Sequence, residues 1–399
     1  MKTLTCVTLG ALILLTIATA ASAQQLSEVS GDRVVPGWVF TPSLAAGVTY
    51  DDNPVLAATG DATPNDTLLL VRPAGDLSLT RKHTHFALGY SGSVLRYRTL
   101  DEFNTYHQSA YLDLRTQPTK RLHFFARDTF SKTPTTDAVE LAGLPFFRTG
   151  TRANNFSAGT SIAATRTLDI TGTYRFQWVK FSPNELAVAS VLQGGRSHGA
   201  GISALQRLSE HVRVGATWDL THALIGTTGE GFNIQNGEAV IEVQVSPTVV
   251  IQGGAGVSYL ALPAPLGSQT GPAAHIEVRK RGEYAVFTAS ASRSFVPAFG
   301  FGGSQRNQEV TGSVRVPFFG RRGYLAGNVA WRDSEPVLQR ELGVRAWWLG
   351  GVVGYAVQRW IRIEGFYDGA FQDTTVVGGR VDRNRIGIQI VTSHPMRIE

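Results

Sequence analysis

The pair most suggestive of covalent chemistry is His107 and Ser109, in the run Tyr106-His107-Gln108-Ser109. Two positions apart on an extended strand they share a face, as a general base and a nucleophile would require. The same alternation turns the neighbouring Ala110 to the opposite, apolar face, so both polar residues look into a hydrated interior and away from any lipid substrate. Wall lining is the plainer account of them. The nine histidines fall at no metal-ligand spacing. The glycine runs Gly253-Gly254-Ala255-Gly256 and 300–303 lack the strand-turn-helix setting of a phosphate loop. Cys6 is the only cysteine, and it precedes the apolar core of the leader, so the mature chain has no thiol for a disulfide, a metal or catalysis. No catalytic residue, metal or cofactor is expected.

A second kind of chemistry is electrostatic. In many segments charged residues recur on one strand face, among them Arg127, Arg175, Arg213, Asp219, Glu242, Glu277, Arg279, Arg315, Arg345, Arg362 and Glu364. If that face lines a pore, the mixed wall with its slight basic excess favours anions. Cross-strand pairing that merely keeps the interior wet is the competing reading. The arc of Arg175 and Arg213 tests the point. The strand between them has no acidic residue, and only Asp219, near the level of Arg175 and two strand spacings (about 10 Å) away, threatens to neutralise it.

These side chains depend on long β-strands. In Thr167 to Phe181, Leu168, Ile170, Gly172, Tyr174, Phe176 and Trp178 occupy one face, and Asp169, Thr171, Thr173, Arg175 and Gln177 the other. A clean period of two over this length matches the roughly 9–11 residues a tilted strand needs to cross a bilayer. Beyond Trp178 the pattern fails: Val179 falls on the polar face and Lys180 on the apolar one. We read this as the point where the strand leaves the hydrocarbon, with Lys180 reaching water. About eighteen such segments, with sixteen as the alternative, fill residues 38–393.

Their connections alternate between tight and long. Eight tight turns, at positions such as Arg81-Lys82, Pro118-Thr119 and Arg359, alternate with longer links such as Asn53–Asn65, Pro134–Gly150 and Leu262–Thr270. The expected fold is all-β: a transmembrane, antiparallel, up-and-down barrel with an even strand number and both chain ends at the tight-turn side, the periplasm. The longest outer connection, Thr133 to Arg152, carries Leu144, Phe146 and Phe147. Apolar residues on an exposed loop are costly, so this segment is the candidate for a constriction folded into the mouth, or else it packs on the rim.

At the N-terminus Lys2, the uncharged run from Val7 to Ala20 and the small residues Ala21-Ser22-Ala23 read as a secretory signal, 1–23, cleaved after Ala23. Residues 24–37 form a polar periplasmic lead and 394–399 a periplasmic tail. Without Lys2 the chain carries 36 basic and 31 acidic side chains, too small a surplus to suggest nucleic acid.

Three stretches, TPSLAAGVTYDDNPV (Thr41–Val55), NDTLLLVRPAGDLSLTR (Asn65–Arg81) and the closing IRIEGFYDGAFQDT with DRNRIGIQI, bracket most of the mature chain. In them the chain resembles the outer-membrane β-barrel porin family 2. The resemblance implies a porin-like channel in the outer membrane of a Gram-negative bacterium, passing solutes or exported polysaccharide. It implies contact with outer-membrane lipid and lipopolysaccharide, the barrel-assembly machinery and exopolysaccharide-export components, and it supplies no functional residues. A structural or assembly barrel with a plugged lumen is the alternative. His107 and Ser109 also resemble the histidine-x-serine pair of outer-membrane phospholipase, but Ala110 and Tyr111 stand where that enzyme has Asn-Gly, leaving a lipase a distant third. The last strand ends Ile386, Ile388, Ile390, Val391 in place of the usual terminal aromatic, so Ile390 or Val391 must substitute in the assembly signal or insertion is less efficient.

Overall fold

A computed structural model describes residues 37–59, 64–136, 146–182, 192–226, 231–300, 303–320, 322–337, 343–374 and 379–398. The signal and nearly all of the N-terminal lead lie outside them, as does Leu144.

Strands run β1 (Gly37–Asp51), β2 (Asp66–Arg81), β3 (Thr84–Tyr97), β4 (Thr105–Thr119), β5 (Leu122–Thr133), β6 (Thr151–Ala163), β7 (Leu168–Phe181), β8 (Gly195–Arg207) and β9 (Val212–Ile225). They continue with β10 (Gly231–Ser246), β11 (Val249–Ala261), β12 (Ser268–Arg281), β13 (Val286–Pro297), β14 (Ser304–Phe318), β15 (Gly323–Pro336), β16 (Val344–Gln358), β17 (Ile361–Thr374) and β18 (Val381–Ser393). Each pairs antiparallel with its sequence neighbours, and β1 also pairs with β18, from Ser43↔Ser393 to Asp51↔Arg385. The sheet is therefore a closed barrel of eighteen staves. Closure leaves no ladder edge to meet hydrocarbon, where each unpaired backbone group would cost several kcal/mol.

The chain continues past β18. After His394-Pro395 it pairs again as a short β19 (Met396–Ile398) on Trp38–Phe40, below β18 on the same side of β1. The proline cannot donate to a ladder and interrupts the stave without ending it. β8 is also shorter than its pattern: Leu192–Gly194 precede it outside the strand, and 189–191 are not described.

Alternation divides the wall into two faces. One displays large apolar side chains, including Leu44, Val48, Leu69, Leu88, Ile202, Trp218, Ile241, Val353, Ile386 and Ile388, all exposed on the bare protein. So much apolar surface in every direction demands a nonaqueous surrounding. The other face holds the polar and charged network. No helix among the described residues is long and apolar enough to cross a membrane; strands provide the crossing. This two-faced barrel supports an outer-membrane location.

Candidate functional site: the barrel interior and its mouth

The inward face is identified by what crosses the barrel. The Phe146 backbone N–H, on the β5–β6 connection, donates to Gln372 Oε1 on β17 at 2.6 Å. Those strands are far apart around the ring, so Gln372 must face the lumen, and pairing register carries that assignment from strand to strand.

By this register ten of the eleven charged candidates share the inward face. Arg345 does not. It shares its strand face with the exposed Trp347 and Leu349, near the loop end, and reaches sideways to Asp333 Oδ2 at 3.3 Å. The consecutive Trp347-Trp348 hides the alternation there, because each face receives a tryptophan: Trp348 is the inward one.

The interior charges are mostly paired. Arg213 lies 2.9 Å from Glu242 and 4.0 Å from Asp169, Arg279 lies 3.0 Å from Glu277, and Arg362 lies 3.4 Å from Glu364. Glu364 also accepts from Tyr324 and Gln389 at 2.6 and 2.7 Å. The Arg315 guanidinium stacks 4.5 Å from the centre of the Tyr324 ring, and Arg127 stands directly across from Asp113. Arg175 pairs with Asp219 across the whole width of β8. That reach is open because β8 presents glycine at this level: a Cβ on Gly201 would stand 2.3 Å from Asp219 Oδ1, and one on Gly199 would stand 3.4 Å from Arg175 Nε. The arc of Arg175 and Arg213 is thus paired at both members, and the glycine gap is the feature that strand-by-strand reading missed.

Cavities open between the walls. One, of about 120 Å³, lies against β1–β5 and β17–β18 and is lined by Arg72, Arg385, Asp368 and hydroxyls such as Ser91 and Ser93. His107 and Ser109 line it too, and Ser109 Oγ lies 2.7 Å from Ser91 Oγ, its cross-strand partner. Another, of about 230 Å³, lies against β7–β13 and is lined by Asp219, Glu238, Glu277, His275 and the threonines of β7. His275 Nδ1 is bound to Glu238. Among the described residues no group of three His, Asp or Glu is arranged to hold a metal.

At the loop end the inward face becomes apolar. Val179, Ala223, Ile225, Phe232, Ile234 and Leu260 form a buried cluster with Phe295, Phe299, Val337 and Leu192, and Phe147 and Phe181 pack against it. Val179 is 1% exposed. The break in alternation after Trp178 therefore marks an apolar layer inside the mouth, and departure from the hydrocarbon does not explain Val179. A second cluster joins Phe146 (1% exposed) to Leu56, Ala330, Ala346, Trp348, Ala370 and Val381, with the Phe146 and Trp348 rings edge to face at 5.4 Å.

The β5–β6 connection is tied down from several sides. Phe147 N–H donates to Thr136 Oγ1 at 2.6 Å. Arg148 donates to the carbonyls of Pro54 at 2.6 Å and Phe103 at 3.1 Å, with its guanidinium 3.7 Å from the Phe103 ring centre. Burial draws the Arg148 pKa below its ordinary value, yet an arginine remains charged. Thr149 Oγ1 donates to Ser182 O at 3.0 Å, and Gln193 and Gly300 exchange backbone bonds, joining the β7–β8 and β13–β14 connections. Beside them Arg383 grips Asp51 through two bonds of 3.0 and 2.5 Å, both residues fully or almost fully buried. Leu144, the third apolar residue expected in this loop, lies outside the described residues.

Solved structures match the chain at low identity. OccAB4 of Acinetobacter baumannii covers 90% of this chain and 98% of its own at 6% identity, with a TM-score of 0.45. OccK5 (OpdH) of Pseudomonas aeruginosa gives the same coverages at 10% identity and a TM-score of 0.45. The siderophore receptor PirA of Pseudomonas aeruginosa covers 91% of this chain and 81% of its own at 9% identity, with a TM-score of 0.43. No family profile matches the chain, and no curated protein matches it by sequence. The assignment as a barrel rests on the closed hydrogen-bond ladder and the two-faced wall.

Proposed function

We propose that this protein is a passive outer-membrane channel whose mouth is narrowed by the β5–β6 connection. The supporting observation is the pairing of an apolar outer face with a polar, cavity-bearing inner face in one closed ladder. Solutes cross between ion-paired walls, so selectivity is weak and set by size at the mouth more than by the arginine excess. The resemblance to porin family 2 adds passage of exported polysaccharide, with export components, barrel-assembly machinery and outer-membrane lipid as partners. In this reading both chain ends, which lie on the tight-turn side, face the periplasm.

The apolar clusters under the mouth favour a second reading, a structural barrel plugged by its own loops. Planar bilayers separate the two: stepwise conductance supports the channel, and electrical silence in wild type and in Phe146→Ala alike supports the plugged scaffold. Orientation is tested separately, because the mature chain contains no cysteine. A cysteine at Leu266 should react with a membrane-impermeant maleimide on intact cells, and one at Lys82 only after lysis. The reverse pattern would overturn the topology.

A further inference from the structure

The chain's small basic surplus is concentrated at one end. Seven of the eight tight connections carry an exposed Lys or Arg in the turn or at its edge; the exception is the one at Pro247. Four of them carry adjacent pairs in the sequence, Arg81-Lys82, Lys120-Arg121, Lys280-Arg281 and Arg321-Arg322. The acidic residues in these turns are Glu210 and Glu283. Among the described residues, Arg81, Lys82, Lys120, Arg121, Lys280 and Arg281 take part in no ion pair. A closed barrel necessarily arranges its tight turns in one ring, so these charges reinforce one another around the circumference.

The same turns expose large apolar side chains. Tyr284 is 75% and Phe319 76% exposed, and Leu208 and Trp360 also project from cationic turns. Phe319 holds this position at φ 48°, a left-handed backbone conformation in which a bulky residue is an outlier. A turn that only needed to reverse the chain would place glycine or asparagine there. Cations interleaved with exposed rings at the rim of an apolar band form the pattern of a headgroup layer, where rings settle among the acyl-glycerol groups and cations reach phosphate. A soluble polyanion would account for the charges and leave Leu208 and Phe319 unexplained.

We propose that the turn end is a binding surface for anionic phospholipid headgroups, formed by the cationic turns acting together. The test is native mass spectrometry of the barrel released from nanodiscs of equal phosphatidylglycerol and phosphatidylcholine. Wild type should retain phosphatidylglycerol severalfold over phosphatidylcholine, and 0.5 M salt should reduce the preference. Neutralising three of these pairs (R81Q, K82Q, K120Q, R121Q, K280Q, R281Q) should reduce it severalfold, with each cation worth up to roughly fivefold. Should that variant misfold, the three double variants, each still barrel-like in circular dichroism, should each lose part of the preference. Equal retention of both lipids by wild type, or an unchanged preference in the folded variants, overturns the proposal. So does tight binding of soluble polyglutamate to the barrel in pure phosphatidylcholine discs that added phosphatidylglycerol cannot weaken, which would assign the ring to a soluble polyanion.

Discussion

The two ends of this barrel are built on opposite rules. At the loop end, charge is buried and paired: Arg383 with Asp51, and Arg148 capping carbonyls of two other connections, while apolar side chains turn inward beneath them. At the turn end cations and apolar rings alike are exposed. The same residue types thus serve enclosure at one end and surroundings at the other. The difference teaches that net charge and overall hydropathy say little about this fold, because their meaning depends on which end and which face a residue occupies.

The sharpest way to break the loop end is to strand its buried charge. Arg383→Ala removes the guanidinium partner of the buried Asp51, and removing one partner of such a pair costs about 3–5 kcal/mol. Unfolding in detergent should shift to lower temperature, and a shift no larger than that of a surface arginine would show the site to be hydrated. Phe146→Ala comes next, at about 3 kcal/mol for a buried ring. Its particular signature should be functional: larger and noisier single-channel conductance as the connection loses its anchor on Trp348.

A smaller effect tests the wall between the ends. Asp219→Asn releases Arg175 from its carboxylate partner across the glycine gap and should move the reversal potential in a salt gradient toward anion preference. Gly201→Leu should do the same by blocking the gap, so movement in one variant alone would refute the bridging role of that opening. The smallest change is expected at the turn end. Lys82→Gln should alter stability by less than about 0.5 kcal/mol and leave conductance unchanged, since it touches only the surroundings.

The architecture was legible because period-two alternation and alternating turn lengths are local signals, and most strand boundaries fall within about three residues of those the pattern gives. The interior was less so. Arg175 and Arg213 could be placed on the right face, but their pairing depended on two glycines of an intervening strand. The mouth was misread because an apolar residue on the polar face looks the same whether the strand is leaving lipid or meeting an infolded loop. Val179, Phe181, Ala223, Ile225, Phe232 and Ile234 together carried the missing signal: the anomaly recurs at the same end of adjacent strands. The cationic ring was equally visible in the turns, and was hidden by averaging charge over the chain.

The seam between β1 and β18 has a kinetic consequence. Every other stave pairs with its neighbour in sequence, whereas Asp51 and Arg383 meet across 332 positions. That contact carries nearly the largest loop-closure entropy the chain can incur, so it forms last. Until β18 and the Met396–Ile398 extension are in place, a nascent barrel presents two bare edges, and a chain truncated before them has no closed state to reach. β18 and the Met396–Ile398 extension therefore act as a completion check: only a polypeptide that includes them can become a sealed cylinder.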